Sequence, residues 1–178
     1  MLGGVQYDIY GLQYLSPTIG LYFFSDEYIR FISRLKFYLK LEMKPLDLEN
    51  SKYKTVIRDR GNDEVFLGIL GDVEVVFVHY PDVEIACKKW NMRRHRINFD
   101  NLLIKFNDQN LFDEEAFQNF RQLDIKNKLF FTGDKKYLVE NYCVYLSKFE
   151  KEGFAVDDIK ASRKVVNIKY IFNSLLSE

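Results

Sequence analysis

The run Val73 to Tyr80, VEVVFVHY, limits the fold more than any other stretch of this sequence. Apolar residues occupy both parities except at Glu74, so neither face of an extended chain would be polar here. Such a strand has to be covered on both sides, which makes it a central strand. A helix is expected directly after it, from Asp82 to Arg94. Val83, Ala86, Cys87 and Trp90 fall at i, i+3, i+4 and i+7, and Asp82 is a suitable N-cap.

The same alternation recurs along the chain. Thr18 to Phe24 reads as a short buried strand, and Ser25-Asp26 then caps a helix that runs to Pro45 through Tyr28, Ile29, Ile32, Leu35, Phe37 and Leu39. Strands are expected at Phe99 to Asn107 and Lys128 to Thr132, with a helix from Asp113 to Gln122 between them. Tyr137 to Phe149 fits either helix or strand, and Ile168 to Leu176 reads as a terminal helix. Lys54 to Arg60 and Glu64 to Leu70 read as weaker strands about a Gly61-Asn62-Asp63 turn. Strands alternating with helices predict one α/β domain over residues 1–178. The expected form is a three-layer α/β/α arrangement on a mostly parallel, Rossmann-like sheet, with 42–72 inserted as an antiparallel decoration.

Composition narrows the functional classes. The chain has 178 residues, of which 47% are apolar and 16% aromatic, enough for a packed core and contrary to disorder. Its 26 Lys+Arg balance 26 Asp+Glu, so it lacks the single-sign charge of a nucleic-acid binder. Cys87 and Cys143 form no CxxC pair, which favours a reducing compartment. Met1 to Asp8 has no basic lead into an apolar stretch, and the uncharged run Ile9 to Ser25 is interrupted by Ser16-Pro17-Thr18. A cytoplasmic protein with no transmembrane segment is therefore expected, and a homo-oligomer is left open.

In an open parallel sheet, ligands bind outside the carboxyl ends of the strands. That rule selects Ser25 and Asp26, His79 and Tyr80, Asn107 and Asp108, and Thr132 to Asp134. His79 suits general acid or base work because imidazole titrates near neutrality, and a hydrogen-bonded structural histidine is the competing explanation. The segment Lys88 to Asn98 holds five Lys/Arg and no acid. Part of that charge complements a helix C-terminus. Helix geometry puts Arg94 in line with Val83, Cys87 and Trp90, facing the sheet, and a buried arginine needs an anionic partner. The partner is either a structural carboxylate, Asp72 or Asp108, or a bound phosphate or carboxylate. Lys89, Arg93 and Arg96 share the outer, solvated face. Walker, GxGxxG, GxSxG, HExxH and CxxC motifs are all absent, so no metal site or serine nucleophile is indicated.

Three stretches carry a family resemblance. They are Gly3-Gly4 through Tyr14-Leu15-Ser16-Pro17-Thr18-Ile19-Gly20-Leu21, Leu70 to Glu74 with Phe77-Val78-His79-Tyr80, and Lys89 to Arg94 with Arg96-Ile97-Asn98 and Asn101-Leu102. Together they resemble the uncharacterised bacterial exopolysaccharide-biosynthesis proteins, a domain of unknown function sometimes labelled an acetyltransferase. The resemblance spans roughly Gly3 to Leu175 and implies a three-layer α/β/α fold. It also implies a hydrophobic strand and an Asn/Cys-containing turn ahead of the Gly-Gly, which a chain starting at Met1-Leu2 is expected to lack.

Two functional expectations follow. In the first, the chain is an acyl- or glycosyltransferase of exopolysaccharide or capsule assembly, taking a sugar and a nucleotide-sugar or acyl-CoA donor. His79 is then the general base and Asp72 or Asp108 the orienting acid. The anionic donor is held by Trp90, Arg93, Arg94, Arg96, Asn98 and Tyr80. In the second, the chain is a non-catalytic binding or assembly protein whose basic 88–96 segment engages an anionic glycan, a lipid-linked sugar or an acidic partner protein. Neither names a cofactor.

Overall fold

The computed structural model describes residues 13–158, which fall into two compact units, 13–97 and 98–158. The expected single domain thus contains two bodies, each with its own sheet.

Residues 13–97 build a four-stranded sheet in the order β1-β4-β3-β2, from β1 (Leu21–Tyr22), β2 (Lys44–Leu46), β3 (Phe66–Leu70) and β4 (Val73–Phe77). Every pairing in it is antiparallel. The expectation of a mostly parallel sheet is corrected here, because β3 and β4 are joined by the two-residue loop Gly71-Asp72, too short for a crossover. Gly71 takes φ +67° at the first loop position, where tight hairpins favour glycine. β4 is central and buried along its whole length, as its apolar character required. Segment 42–72, expected as an antiparallel decoration, supplies β2 and β3, both paired antiparallel.

Four helices surround the strands: α1 (Ser25–Ser33), α2 (Leu35–Tyr38), α3 (Lys54–Asp59) and α4 (Val83–Arg93). The helix expected to reach Pro45 breaks at Arg34, whose φ −127° and ψ 37° are not helical, and Pro45 sits in the edge strand β2. Lys54 to Arg60, expected as a strand, is α3. Its β-branched residues yield to packing, because a helical turn delivers Ile57, 1% exposed, onto Phe24, Leu67 and Val76. The Asp82 carboxylate caps α4 by accepting from the Ile85 amide at 2.6 Å. Near the other end of α4, the Asn91 side chain bonds both the amide and the carbonyl of Met43, tying the helix to the approach to β2.

Residues 98–158 form a parallel sheet, β5-β6-β7, from β5 (Ile104–Asn107), β6 (Lys128–Thr132) and β7 (Cys143–Tyr145). The expected strand from Phe99 begins only at Ile104, and the ambiguous 137–149 segment contributes β7. Helix α5 (Glu114–Gln122) makes the β5–β6 crossover, its first turn capped by Asp113. Phe130, fully buried on β6, touches the rings of Phe106, Phe112, Phe117, Phe120 and Tyr137. Such ring pairs contribute about 0.5–1.5 kcal/mol each beyond the area they bury. The terminal helix expected at Ile168 to Leu176 lies outside the described residues.

Candidate functional site

The arginines of the basic run gather at one corner of the 13–97 unit, where the end of α4 meets the chain beyond β4 and the 14–20 turn. Helix α4 stops at Arg93, and a single 3₁₀ turn, Arg94–Arg96, follows it. This change of phase rearranges the faces expected from a continuous helix. Arg93, assigned to the solvated side, is only 7% exposed. Its Nη1 donates to the Tyr80 phenol at 3.1 Å, and its guanidinium lies 4.9 Å from the centre of the Tyr14 ring. The Nε of Arg93 is sealed from solvent without a hydrogen-bond partner.

Arg94 faces inward as expected, but its partners are neither Asp72 nor Asp108. Its Nη1 donates to the carbonyls of Leu39 and Leu41, at 3.0 and 2.9 Å, just beyond α2. Arg96 donates to the Tyr14 carbonyl at 3.0 Å. Among the described residues, the acid within 4 Å of any of these three guanidiniums is Glu42. It stands 3.8 Å from Arg94 and is itself 72% exposed. Burying a cation without an acid is costly, so the corner carries positive charge that the described residues do not neutralise at close range.

Tyr80 organises the corner. Its hydroxyl donates to the Ile19 carbonyl and accepts from Arg93. Burial pushes the phenol above its ordinary pKa range, against the opposing pull of Arg93. His79 precedes it in the chain, two residues past β4, exposed and without a hydrogen bond to any described residue. Histidine and arginines are thereby placed in the same unit, joined through Tyr80.

The other residues singled out in the sequence lie elsewhere. Trp90 is 1% exposed, with its ring against Phe31, so it is part of the core and is not a ligand-stacking surface. Asp72 lies at the opposite end of β4 from His79, a strand length of on the order of 20 Å away, and cannot orient the imidazole. It accepts from the Tyr38 hydroxyl at 2.7 Å, which holds its carboxyl below the usual range. Asn98 is exposed and caps its own turn through the Asp100 amide.

Asp108 belongs to the 98–158 unit, at the carboxyl end of β5, with Thr132 and Gly133 beside it. Its carboxylate accepts from the amides of Gly133 at 2.9 Å and Ala155 at 2.7 Å. Burial raises its pKa. Segment 149–158 fills this end of the sheet. Asp158 pairs with Lys105 and Asn107, and Gln109 bonds the Ala155 carbonyl. The crevice that the parallel-sheet rule selects is therefore stoppered by the chain itself.

Sequence reasoning missed two buried acids. Glu27 on α1, 1% exposed, accepts from Lys52 Nζ at 2.6 Å, the Tyr53 hydroxyl at 3.0 Å and the Glu74 amide at 2.9 Å. Glu74, 5% exposed, accepts from the Ser51 hydroxyl at 2.6 Å and the Lys52 amide at 3.1 Å. Beside Glu27, burial and the neighbouring carboxylate drive the Tyr53 pKa upward. The only sequence signal was Glu74 as the single polar residue in an apolar strand. With so many donors satisfied, the pair acts as a clasp between α1, β4 and the 51–53 segment. Among the described residues, no three His, Cys, Asp or Glu side chains are grouped as metal ligands, and no helix is long and apolar enough to cross a membrane.

Fold and corner together define a mixed α/β protein with an arginine cluster whose close acid among the described residues is the exposed Glu42. Residues 1–175 match the family model described as Domain of unknown function (DUF1919), and the chain belongs to that family. It is also 32% identical over 137 residues to an uncharacterised protein of Haemophilus influenzae. The match covers 77% of this chain and 60% of the length of that relative.

Proposed function

We propose that this chain binds the anionic group of a phosphate-bearing ligand at the Tyr80–Arg93 corner, and that it serves exopolysaccharide or capsule assembly in this capacity. The observation that supports the reading is Arg93, nearly buried and charged, whose polar partner among the described residues is a phenol. An arginine needed only for packing would be cheaper as an apolar residue, whereas phosphate makes use of a planar, permanently charged fork. The assembly context comes from the family resemblance in the motifs around Tyr80 and Arg93.

Exposed His79 supports transfer as the activity at this corner. In that chemistry His79 takes the proton of a sugar hydroxyl while its oxygen bonds to the acyl carbon or anomeric carbon of the donor. The donor's leaving group then departs with the bonding pair. A second reading, binding without turnover, is favoured by the absence of any described acid hydrogen-bonded to His79. Thermal-shift screening with inorganic phosphate, nucleotide sugars and acyl-CoA tests the binding step, since a ligand stabilises only what it binds folded. Stabilisation of wild type that disappears in Arg93→Met is the expected result, and the absence of stabilisation by all three classes overturns the reading. Turnover abolished in His79→Ala separates transfer from binding alone.

A further inference from the structure

The described groups that hold Arg93, Tyr80 and the Tyr14 ring, carry no charge, and we propose that Tyr80 is the positioning residue that keeps this guanidinium oriented without cancelling its charge, ready for an incoming phosphate. The inference rests on the anion-binding reading and adds how the site is kept ready. A phenol has one proton, and that of Tyr80 is committed to the Ile19 carbonyl. Only its lone pairs remain for Arg93, whose Nη1 donates to them at 3.1 Å. A carboxylate in the same place would orient the guanidinium equally well and cancel its charge. The Tyr14 ring, 4.9 Å from the guanidinium carbon, is likewise attractive and neutral. With one Nη1 proton engaged and Nε sealed in protein, the two protons of Nη2 and the second of Nη1 are the donors left to meet a ligand.

Gly20 secures this arrangement from the other side. A Cβ there would lie 2.7 Å from Cε2 of Tyr80, and the backbone has φ +80°, which side chains rarely adopt. Gly20 therefore makes room for the tyrosine ring as well as the turn. Burial, which raises the phenol's pKa, keeps the hydroxyl protonated in the form this geometry needs.

Calorimetric titration of the full chain with inorganic phosphate at low ionic strength tests the proposal. Wild type is expected to bind saturably, and Tyr80→Phe about tenfold more weakly, the worth of a hydrogen bond to a charged group. Gly20→Ala is expected to weaken binding in the same direction by displacing the Tyr80 ring while removing no side chain of the corner. The deciding measurement is the double-mutant cycle: in an Arg93→Lys background, Tyr80→Phe should cost no further affinity. An equal loss in both backgrounds makes Tyr80 merely structural and overturns the proposal. Wild type that binds no phosphate removes the anion-binding reading and this inference with it. Wild type and Tyr80→Phe binding alike removes only the inference. If Tyr80→Phe melts below the assay temperature, Gly20→Ala decides in its place.

Discussion

Tyr80 and Arg93 are joined phenol to guanidinium at 3.1 Å, and the phenol gives its own proton to the Ile19 carbonyl. The fold thus holds a buried cation with neutral groups, an arrangement whose costs and uses can be measured separately.

Arg93→Met is expected to leave the unliganded protein as stable as wild type to within about 1 kcal/mol, because a buried charge with no acid partner among the described residues is replaced by an apolar side chain of similar length. An arginine whose value was structural would instead cost about 3–5 kcal/mol on removal. Chemical denaturation in phosphate-free buffer distinguishes the two outcomes.

The Glu27 clasp behaves in the opposite way. Glu27→Ala strands Lys52, the Tyr53 hydroxyl and the Glu74 amide at once. A loss of about 3–5 kcal/mol is expected, with Glu27→Gln intermediate because it keeps one acceptor. Urea unfolding of the three proteins checks the order.

Asp72 provides a pH test. The Tyr38 hydroxyl holds its carboxyl below the ordinary value, so this bond adds stability above the unfolded pKa of about 4 and loses it as pH falls through the lower folded value. Tyr38→Phe should return the Asp72 titration upward toward its ordinary range, read directly by carboxyl-carbon NMR. An unchanged midpoint would show that the phenol does not set it.

Gly133→Ala should destabilise the 98–158 unit by about 1–3 kcal/mol. The added Cβ would meet the backbone N and C of Phe154 at 2.7 Å and the Phe149 carbonyl at 2.8 Å, atoms with no rotamer by which to retreat. Thermal melting of the variant settles the size.

Much of the element order was legible because it rests on local rules. Asp82 caps the helix it was expected to cap, the helix expected from Asp113 to Gln122 forms within a residue of those bounds, Lys128–Thr132 is a strand end to end, and the apolar run at 73–77 is the buried central strand. What misled was long-range. Val56 and Ile57 favour a strand, but the pocket beside Phe24 is filled by a helical turn. Pairing direction depends on loop geometry, so two residues at Gly71-Asp72 turned an expected parallel sheet into an antiparallel one. The arginines were legible as one basic run with Arg94 facing inward, but the 3₁₀ turn at Arg94 buried Arg93, which a continuous helix would have left on the solvated side. Asp72 and His79 were brought together in the sequence reading only by assuming a topology the chain does not have.

The stoppered end of the parallel sheet also limits how the chain can be divided. A fragment ending at Gly153 would lack the Ala155 amide and leave the Asp108 carboxylate buried with part of its donors missing. It would also strip Lys105 and Asn107 of Asp158. The smallest stretch able to stand alone around β5, β6 and β7 therefore runs at least to Asp158, more than a dozen residues past the end of β7.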